Sequence, residues 1–230
     1  MVCAAELTSR RGRLRTAVRG RQQQPCRFRL RHYAAAVLCI LLTAGCSDDA
    51  PRLPLLTESD TVLAFGDSLT RGTGAPRGQG YPEILATLID HPVVNAGVPG
   101  ELAATGRARL ASVLDEVRPA LLLLCHGGND LLRRRDPVHT ARELTAMIEM
   151  ARARGIAVLL LGVPAPGLLL STAEFYHDVA TATATPLQAD VIADVLGTAA
   201  LKSDPVHPNA AGYRVIAEQV RNALEKFGAL

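Results

Sequence analysis

Residues 120–130 read Ala-Leu-Leu-Leu-Leu-Cys-His-Gly-Gly-Asn-Asp, an unbroken apolar run that ends in a polar turn with two glycines. Apolar runs without alternation are typical of strands that are buried on both faces of a parallel sheet. Four more such runs, two of them short and weak, lie along the chain at residues 61–66, 92–95, 156–163 and 185–188. The sequence therefore predicts a sheet of about five parallel strands.

The segments between these runs predict helices. Asp136 is placed to cap a helix that has Pro137 at its first position, and Gly155 is placed to end it. A last helix is predicted to follow Asn209, because apolar residues recur beyond it at helical spacing. Alternation of strands and helices predicts an α/β fold in which three layers are stacked, α/β/α. We expect one domain over residues 61–230, since no repeat or linker divides it.

The first 45 residues differ in composition from the rest of the chain. They hold nine arginines against one acid, whereas the remainder holds 16 basic and 21 acidic residues. The overall net charge of +3 therefore describes neither part. A basic arm, an apolar run at residues 33–44 and small residues before Cys46 predict a signal for export over residues 1–45. The run is too short for a permanent membrane helix, which needs about 20 apolar residues.

Residues 42–46 read Leu-Thr-Ala-Gly-Cys and resemble a bacterial lipobox, in which the cysteine becomes the lipidated first residue of the mature protein. Thr43 departs from that pattern, because leucine is usual at its place. We expect a lipid on Cys46, a tether over residues 46–60, and a periplasmic or cell-envelope location with the outer membrane favoured. Cleavage without lipid and an uncleaved anchor are the alternatives. Cys125 ends an apolar run and is expected to be a buried, apolar residue.

Polar residues stand where ligands bind in such folds, beyond the carboxyl ends of the strands. Ser68 follows the first strand, where its hydroxyl would be exposed at a helix start. Gly100 follows the second strand and Asn129 the third, and both carry N–H groups suited to an oxyanion. Asp204 lies three residues before His207, close enough to orient the imidazole. Taken singly, each is also compatible with an ordinary turn or helix cap.

Taken together and in this order, the blocks resemble those of the SGNH hydrolases, also called the GDSL esterase/lipase family. The resemblance extends over residues 61–226. The first part of this domain and residues 127–133, after the third strand, look most like the thioesterase I, lysophospholipase and arylesterase branch. It implies a flavodoxin-like, five-stranded fold without a metal or a cofactor. The matching blocks are Gly-Asp-Ser-Leu at 66–69, Gly100 within 95–100, Gly-Asn-Asp at 128–130, and Asp204 with His207.

The resemblance also implies roles for these residues. Ser68 would be the nucleophile, His207 the general base and then acid, and Asp204 the carboxylate that orients His207. The oxyanion hole would be formed by the backbone N–H groups of Ser68 and Gly100 and by the side-chain amide of Asn129. The implied reaction is hydrolysis of carboxylic esters or thioesters through an acyl-enzyme. A carbohydrate O-acetyl esterase and a non-catalytic envelope binding module on the same fold are the alternatives.

The apolar loop after the fourth predicted strand could line an acyl pocket or could be a buried packing loop. We expect substrate contacts from Leu131, Pro164 and Leu168. Pro99 stands where the related branch often has serine. Its ring stiffens the loop and removes one N–H, which could alter the oxyanion donors or narrow the cleft. The substrate is expected to be a small ester or acyl compound and the protein a monomer. Aromatic residues at 3%, without Trp, argue against a base-stacking nucleic-acid partner.

Overall fold

The computed structural model describes residues 51–167 and 170–230. Five strands form one sheet, and all of their pairings are parallel, in the order β2-β1-β3-β4-β5. This order confirms the predicted α/β fold with five parallel strands. The strands are β1 (Val62–Gly66), β2 (Val93–Gly97), β3 (Leu121–Cys125), β4 (Ala157–Leu161) and β5 (Leu187–Gln188).

The helices of the described residues cover both faces of the sheet, which completes three layers. The helices are α1 (Ser68–Arg71), α2 (Tyr81–Ile89), α3 (Ala103–Val117), α4 (Gly128–Leu132), α5 (Pro137–Arg152), α6 (Glu174–Thr183), α7 (Val191–Gly197) and α8 (Ala210–Phe227). Helices α2, α7 and α8 pack together on one face, and α3, α5 and α6 pack together on the other. A short 3-10 turn, Ala199–Leu201, follows α7.

The core forms where the apolar runs predicted it. Every residue of β1 and β3 is buried, and Cys125 is a free, buried cysteine as expected. Burying a leucine side chain contributes about 1.5–3 kcal/mol, so the four leucines of β3 alone are a large stabilising term. The predicted Asp136 cap is present, since Asp136 accepts a hydrogen bond from the Val138 N–H, but that helix ends at Arg152, three residues before Gly155. The last helix begins after Asn209 as predicted, and Asn209 caps it by accepting a hydrogen bond from the Gly212 N–H.

The polypeptide enters the domain along the end of the last helix. The Leu53 N–H donates to the Phe227 carbonyl, and the Leu56 N–H donates to the Ala229 carbonyl. Leu53 and Leu56 are buried. The predicted tether over residues 46–60 therefore differs from the structure at Leu53 and Leu56, which belong to the packed domain. These two leucines bury apolar area that a free tether would expose, whereas Leu55 between them is exposed.

No helix in the described ranges is long and apolar enough to cross a membrane. The predicted export signal, its residues 1–45 and Cys46 lie outside the described residues.

Candidate active site

Three strands end side by side and bring the polar turns to one edge of the sheet. Gly66, at the end of β1, pairs with Gly97 on β2 and with Cys125 on β3. The chain winds one way from β1 to β2 and the other way from β3 to β5, so a crevice opens between the ends of β1 and β3. A Cβ atom at Gly66 would lie 2.0 Å from the Cys125 carbonyl oxygen, so this close approach requires glycine.

The structure brings Ser68, His207 and Asp204 into one hydrogen-bonded chain. The Ser68 Oγ lies 3.0 Å from the His207 Nε2, and the His207 Nδ1 lies 2.8 Å from the Asp204 Oδ2. Because a carboxylate only accepts hydrogen bonds, the Nδ1 carries the proton and the Nε2 is free to accept the serine hydroxyl proton. The arrangement can therefore deprotonate Ser68 as its oxygen attacks an electrophile.

Asp204 is held by its own turn. Its Oδ1 accepts hydrogen bonds from the backbone N–H groups of Val206 and His207, each at 2.8 Å. Desolvation raises the pKa of Asp204, but the hydrogen bonds from His207 and from the backbone outweigh it, so the pKa is lowered. The carboxylate is thus charged and fixed, and both properties suit a group that stabilises an imidazolium beside it.

Ser68 is presented at the start of a helix. Asp67 caps α1 through a 3.0 Å hydrogen bond from the Leu69 N–H to its Oδ1, which places Ser68 at the first helical position. N–H groups in a first helical turn have no partner inside the helix, and the Ser68 N–H is one of them. Burial raises the pKa of Asp67. The nearby His126 and the hydrogen bonds from the Leu69 N–H and the Asn129 amide oppose this rise without cancelling it.

Gly100 lines the cleft through its backbone. Its φ of 76° lies in the left-handed region, which favours glycine. No described residue accepts a hydrogen bond from the Gly100 N–H, whereas its carbonyl accepts one from the Arg133 Nη2 at 3.2 Å. Gly100, Ser68 and Asn129 all line the same cleft, so the three predicted oxyanion donors lie together.

The Asn129 amide is already engaged on both sides. Its Nδ2 donates to the Asp67 Oδ2 and to the Glu101 carbonyl, each at 3.1 Å. An amide nitrogen has two hydrogens, so an oxyanion must share one of these bonds to be reached by Asn129. The other two predicted donors, the N–H groups of Ser68 and Gly100, have no such competitor among the described residues.

The cleft beside Ser68 has a volume of about 450 Å³ and mostly apolar walls. This size falls within the usual range for small-molecule sites, about 300–1,000 Å³. Pro164 lines it, as predicted for a substrate contact, and so does Pro99. The rest of the apolar wall is formed by Leu69, Leu132, Val163, Pro166, Leu170, Leu196, Pro205 and Val206.

One of the predicted substrate contacts differs from the structure, and another is not tested by it. Leu131 packs against the core, and its neighbour Leu132 lines the cleft instead. The reason is helical geometry, because consecutive residues of α4 point to different sides. Leu168 lies outside the described residues.

A buried charged cluster below the cleft escaped the sequence analysis. Glu101 binds Arg109 and His126, and burial of the Glu101 carboxylate is outweighed by the hydrogen bonds from both, which lower its pKa to about 2. Glu101 precedes α3 and Arg109 lies eight residues later, so no pairing spacing on a helix points to them. His126 is fully buried.

Residues 64–215 match the GDSL-like Lipase/Acylhydrolase family. Among curated proteins, the chain is 34% identical over 199 residues to Esterase TesA of Pseudomonas aeruginosa, covering 80% of this chain and 97% of that protein. It is 29% identical over 175 residues to Thioesterase 1/protease 1/lysophospholipase L1 of Escherichia coli K12, covering 73% and 84%.

A crystal structure of TesA has 32% sequence identity to the chain and a TM-score of 0.66. The similarity covers 73% of this chain and 99% of that one. Within the described residues, no cluster of three or more histidine, cysteine or acidic side chains could hold a metal ion.

Proposed function

This chain belongs to the GDSL-like lipase and acylhydrolase family and is a carboxylic ester hydrolase, and on that premise we propose that it acts through an acyl-enzyme formed on Ser68. The observation that carries the assignment of residues is the hydrogen-bonded chain from the Ser68 Oγ through His207 to Asp204, with distances of 3.0 and 2.8 Å.

In the first half-reaction, the Ser68 Oγ attacks the carbonyl carbon while the His207 Nε2 takes the serine proton. The Asp204 carboxylate stabilises the imidazolium that forms. The Ser68 and Gly100 N–H groups face the developing oxyanion, and each such donor contributes about 10²–10³ in rate. The tetrahedral intermediate collapses when His207 returns the proton to the departing alcohol or thiol, which leaves the acyl group on Ser68.

In the second half-reaction, His207 takes a proton from water, and the resulting hydroxide attacks the acyl carbon. The new oxyanion occupies the same donors. Collapse expels the Ser68 oxygen, which recovers its proton from His207, and the carboxylic acid leaves. A positioned acid–base of this kind contributes about 10²–10⁴ in rate.

The cleft favours substrates with an apolar acyl group. Its walls near Ser68 are formed by proline, valine and leucine side chains, and apart from Asp67 and His207 no described wall residue is ionisable. An acyl chain gains about 0.8 kcal/mol for each methylene that it buries there. Esters and thioesters of medium acyl chains are therefore the proposed substrates, and the acetyl group of an O-acetylated sugar would leave most of the cleft empty.

The test is turnover of p-nitrophenyl esters graded from acetate to laurate by wild type and Ser68→Ala. We expect kcat/KM to rise from acetate to a medium chain, and Ser68→Ala to lose all turnover above background. Ser171→Ala, outside the catalytic chain, is the matched serine control and should keep wild-type rates. Turnover by Ser68→Ala would contradict the proposal, and a preference for acetate or acetylated xylan would favour the sugar esterase.

We also propose that the leader over residues 1–45 exports the chain and that Cys46 carries a lipid that attaches the enzyme to the cell envelope. The support is the basic arm, the apolar run and the lipobox-like residues 42–46. Intact mass of the mature protein from its host distinguishes the alternatives. A diacylglycerol-modified N-terminal cysteine that disappears in Cys46→Ala is expected, whereas an unmodified mature N-terminus would contradict lipidation.

A further inference from the structure

The buried carboxylate of Glu101 connects the ends of β1, β2 and β3 through its two partners, Arg109 and His126. The side chain of Glu101 is only 4% exposed, and it follows Gly100 directly in the chain. Its carboxylate contacts Arg109 on one side and His126 on the other. No step of the proposed reaction uses these three residues.

Arg109 reaches the first two strand ends. Its Nε donates to both carboxylate oxygens of Glu101, at 2.8 and 2.9 Å. Its Nη2 donates to the Ala96 carbonyl of β2 at 2.8 Å and to the Gly66 carbonyl of β1 at 3.3 Å. The guanidinium also lies 4.0 Å from the centre of the Phe65 ring. A planar guanidinium can hold several acceptors in fixed directions, which a lysine ammonium cannot do.

His126 reaches the third strand end, because it follows β3 directly. The Gly127 N–H donates to its Nδ1 at 3.1 Å, so the ring proton lies on Nε2. That Nε2 donates to the Glu101 Oε2 at 3.1 Å. Helix α3 approaches the ring at Gly106, where a Cβ atom would lie 2.3 Å from Nε2. The contact between His126 and Glu101 therefore depends on a glycine in the facing helix.

The backbone of Glu101 completes the connection. Its carbonyl accepts the 3.1 Å hydrogen bond from the Asn129 Nδ2. A shift of Glu101 would therefore move the carbonyl that accepts the Asn129 hydrogen bond, and with it the peptide group that follows Gly100. Net stability is a poor reason for such a cluster, because desolvation of a buried ion pair often cancels its attraction. The cluster is better explained by the positions that it fixes, because Arg109 bonds to carbonyls of β1 and β2 and His126 directly follows β3.

We propose that Glu101, with Arg109 and His126, is a positioning residue that sets the distance between the Gly100 N–H, the Asn129 amide and the Ser68 turn. The proposal rests on the function proposed above for these donors. Oxyanion donors act only when they are aimed at the charge that develops in the transition state. Loosening the cluster should therefore weaken binding of the transition state and leave binding of the ground state unchanged.

Glu101→Gln is the principal variant, because it keeps the shape of the side chain but places an amide N–H₂ against donors of Arg109 or His126. We expect kcat/KM to fall by about 10–100-fold, less than the 10²–10³-fold loss for deleting a donor outright. The fall should lie in kcat, with KM unchanged. Affinity for an alkyl trifluoromethyl ketone, which adds to the serine and forms an oxyanion, should fall by the same factor, whereas affinity for the matching secondary alcohol should not.

Arg107→Gln is the matched control. Arg107 lies on α3 two residues before Arg109, but it pairs with Glu143, away from the cleft. We expect wild-type kcat and ketone affinity for it. If Glu101→Gln does not fold, Arg109→Lys replaces it. This variant keeps the positive charge but loses the several fixed N–H donors of the guanidinium, and its kcat and ketone affinity are measured in the same way.

The results separate this proposal from the one on which it rests. A purely structural role predicts a lower melting temperature with unchanged kcat and ketone affinity in the folded variant, and that result would overturn the positioning role. Equal losses in Arg107→Gln would overturn it too. Both outcomes leave Ser68→Ala inactive, whereas turnover by Ser68→Ala would refute the proposed function itself.

Discussion

Replacing Asp204 with asparagine should reverse one hydrogen bond of the catalytic chain and leave the others in place. The asparagine carbonyl oxygen can still accept from the backbone N–H groups of Val206 and His207, as the Asp204 Oδ1 does at 2.8 Å. Its amide group then faces the His207 Nδ1, where the carboxylate now accepts. The imidazole must accept at Nδ1 and carry its proton on Nε2, so it can no longer take the proton of Ser68.

The size of the effect depends on solvent around the carboxylate. In serine hydrolases with a buried aspartate, this substitution lowers kcat by about 10⁴-fold. The Asp204 side chain is 44% exposed, so water screens its charge and can partly replace it. We therefore expect kcat to fall by about 10²–10³-fold, which corresponds to about 2.7–4 kcal/mol of transition-state stabilisation.

The assay is kcat for p-nitrophenyl butyrate, with the melting temperature measured in parallel. Asp136→Asn is the matched control, since Asp136 is an exposed cap that accepts a 3.0 Å hydrogen bond from the Val138 N–H and does not line the cleft. Both variants should melt within a few degrees of wild type, and the control should keep full activity. An Asp204→Asn enzyme with a kcat within about threefold of wild type would refute the role of Asp204 as the partner of His207.

Three further predictions test other parts of the molecule. Gly66→Ala should destabilise the domain by about 1–3 kcal/mol or more in urea unfolding, because its Cβ would lie 2.0 Å from the Cys125 carbonyl, whereas Gly197→Ala has nothing within 4 Å and should be neutral. Leu132→Ala should raise KM for medium-chain esters about threefold to tenfold at unchanged stability, and Leu131→Ala should instead cost about 1–2 kcal/mol of stability at unchanged KM. The pKa of Glu101 is about 2 in the fold against an ordinary 4.5, so its ionisation stabilises the protein above pH 4.5 and ceases to do so as the pH falls towards 2. The difference in free energy of unfolding between wild type and Glu101→Gln should therefore be constant above that range and shrink within it, and a gap that does not change with pH would contradict this.

The strands and the candidate catalytic residues could be predicted because their signals are local. The leucine run of β3 needs burial on both faces, and Asp204 reaches His207 within one turn, so neither depends on distant parts of the chain. The strand ends were predicted to meet because the carboxyl ends of parallel strands share one edge. The register of Gly66 with Cys125 bears out that geometry.

The predictions from the sequence failed where contacts between distant parts of the chain determine which residues are buried, exposed or paired. Leu53 and Leu56 lie in a polar, proline-containing segment that reads as a tether, yet the end of α8 offers them hydrogen bonds and apolar surface. Leu131 and Leu132 are equivalent in composition, and only the rotation of α4 distinguishes them. Glu101 pairs with Arg109 on α3 and with His126 after β3, which the fold brings together and no spacing in the sequence reveals.

The central claim is that Ser68 is a nucleophile activated by His207, and labelling with an alkyl fluorophosphonate tests it most directly. The intact mass should increase by a single adduct, and peptide mapping should place that adduct on Ser68. Ser68→Ala should not be labelled, and His207→Ala should be labelled about 10²–10⁴-fold more slowly. An adduct on another residue, or a folded protein that stays unlabelled under these conditions, would contradict the account.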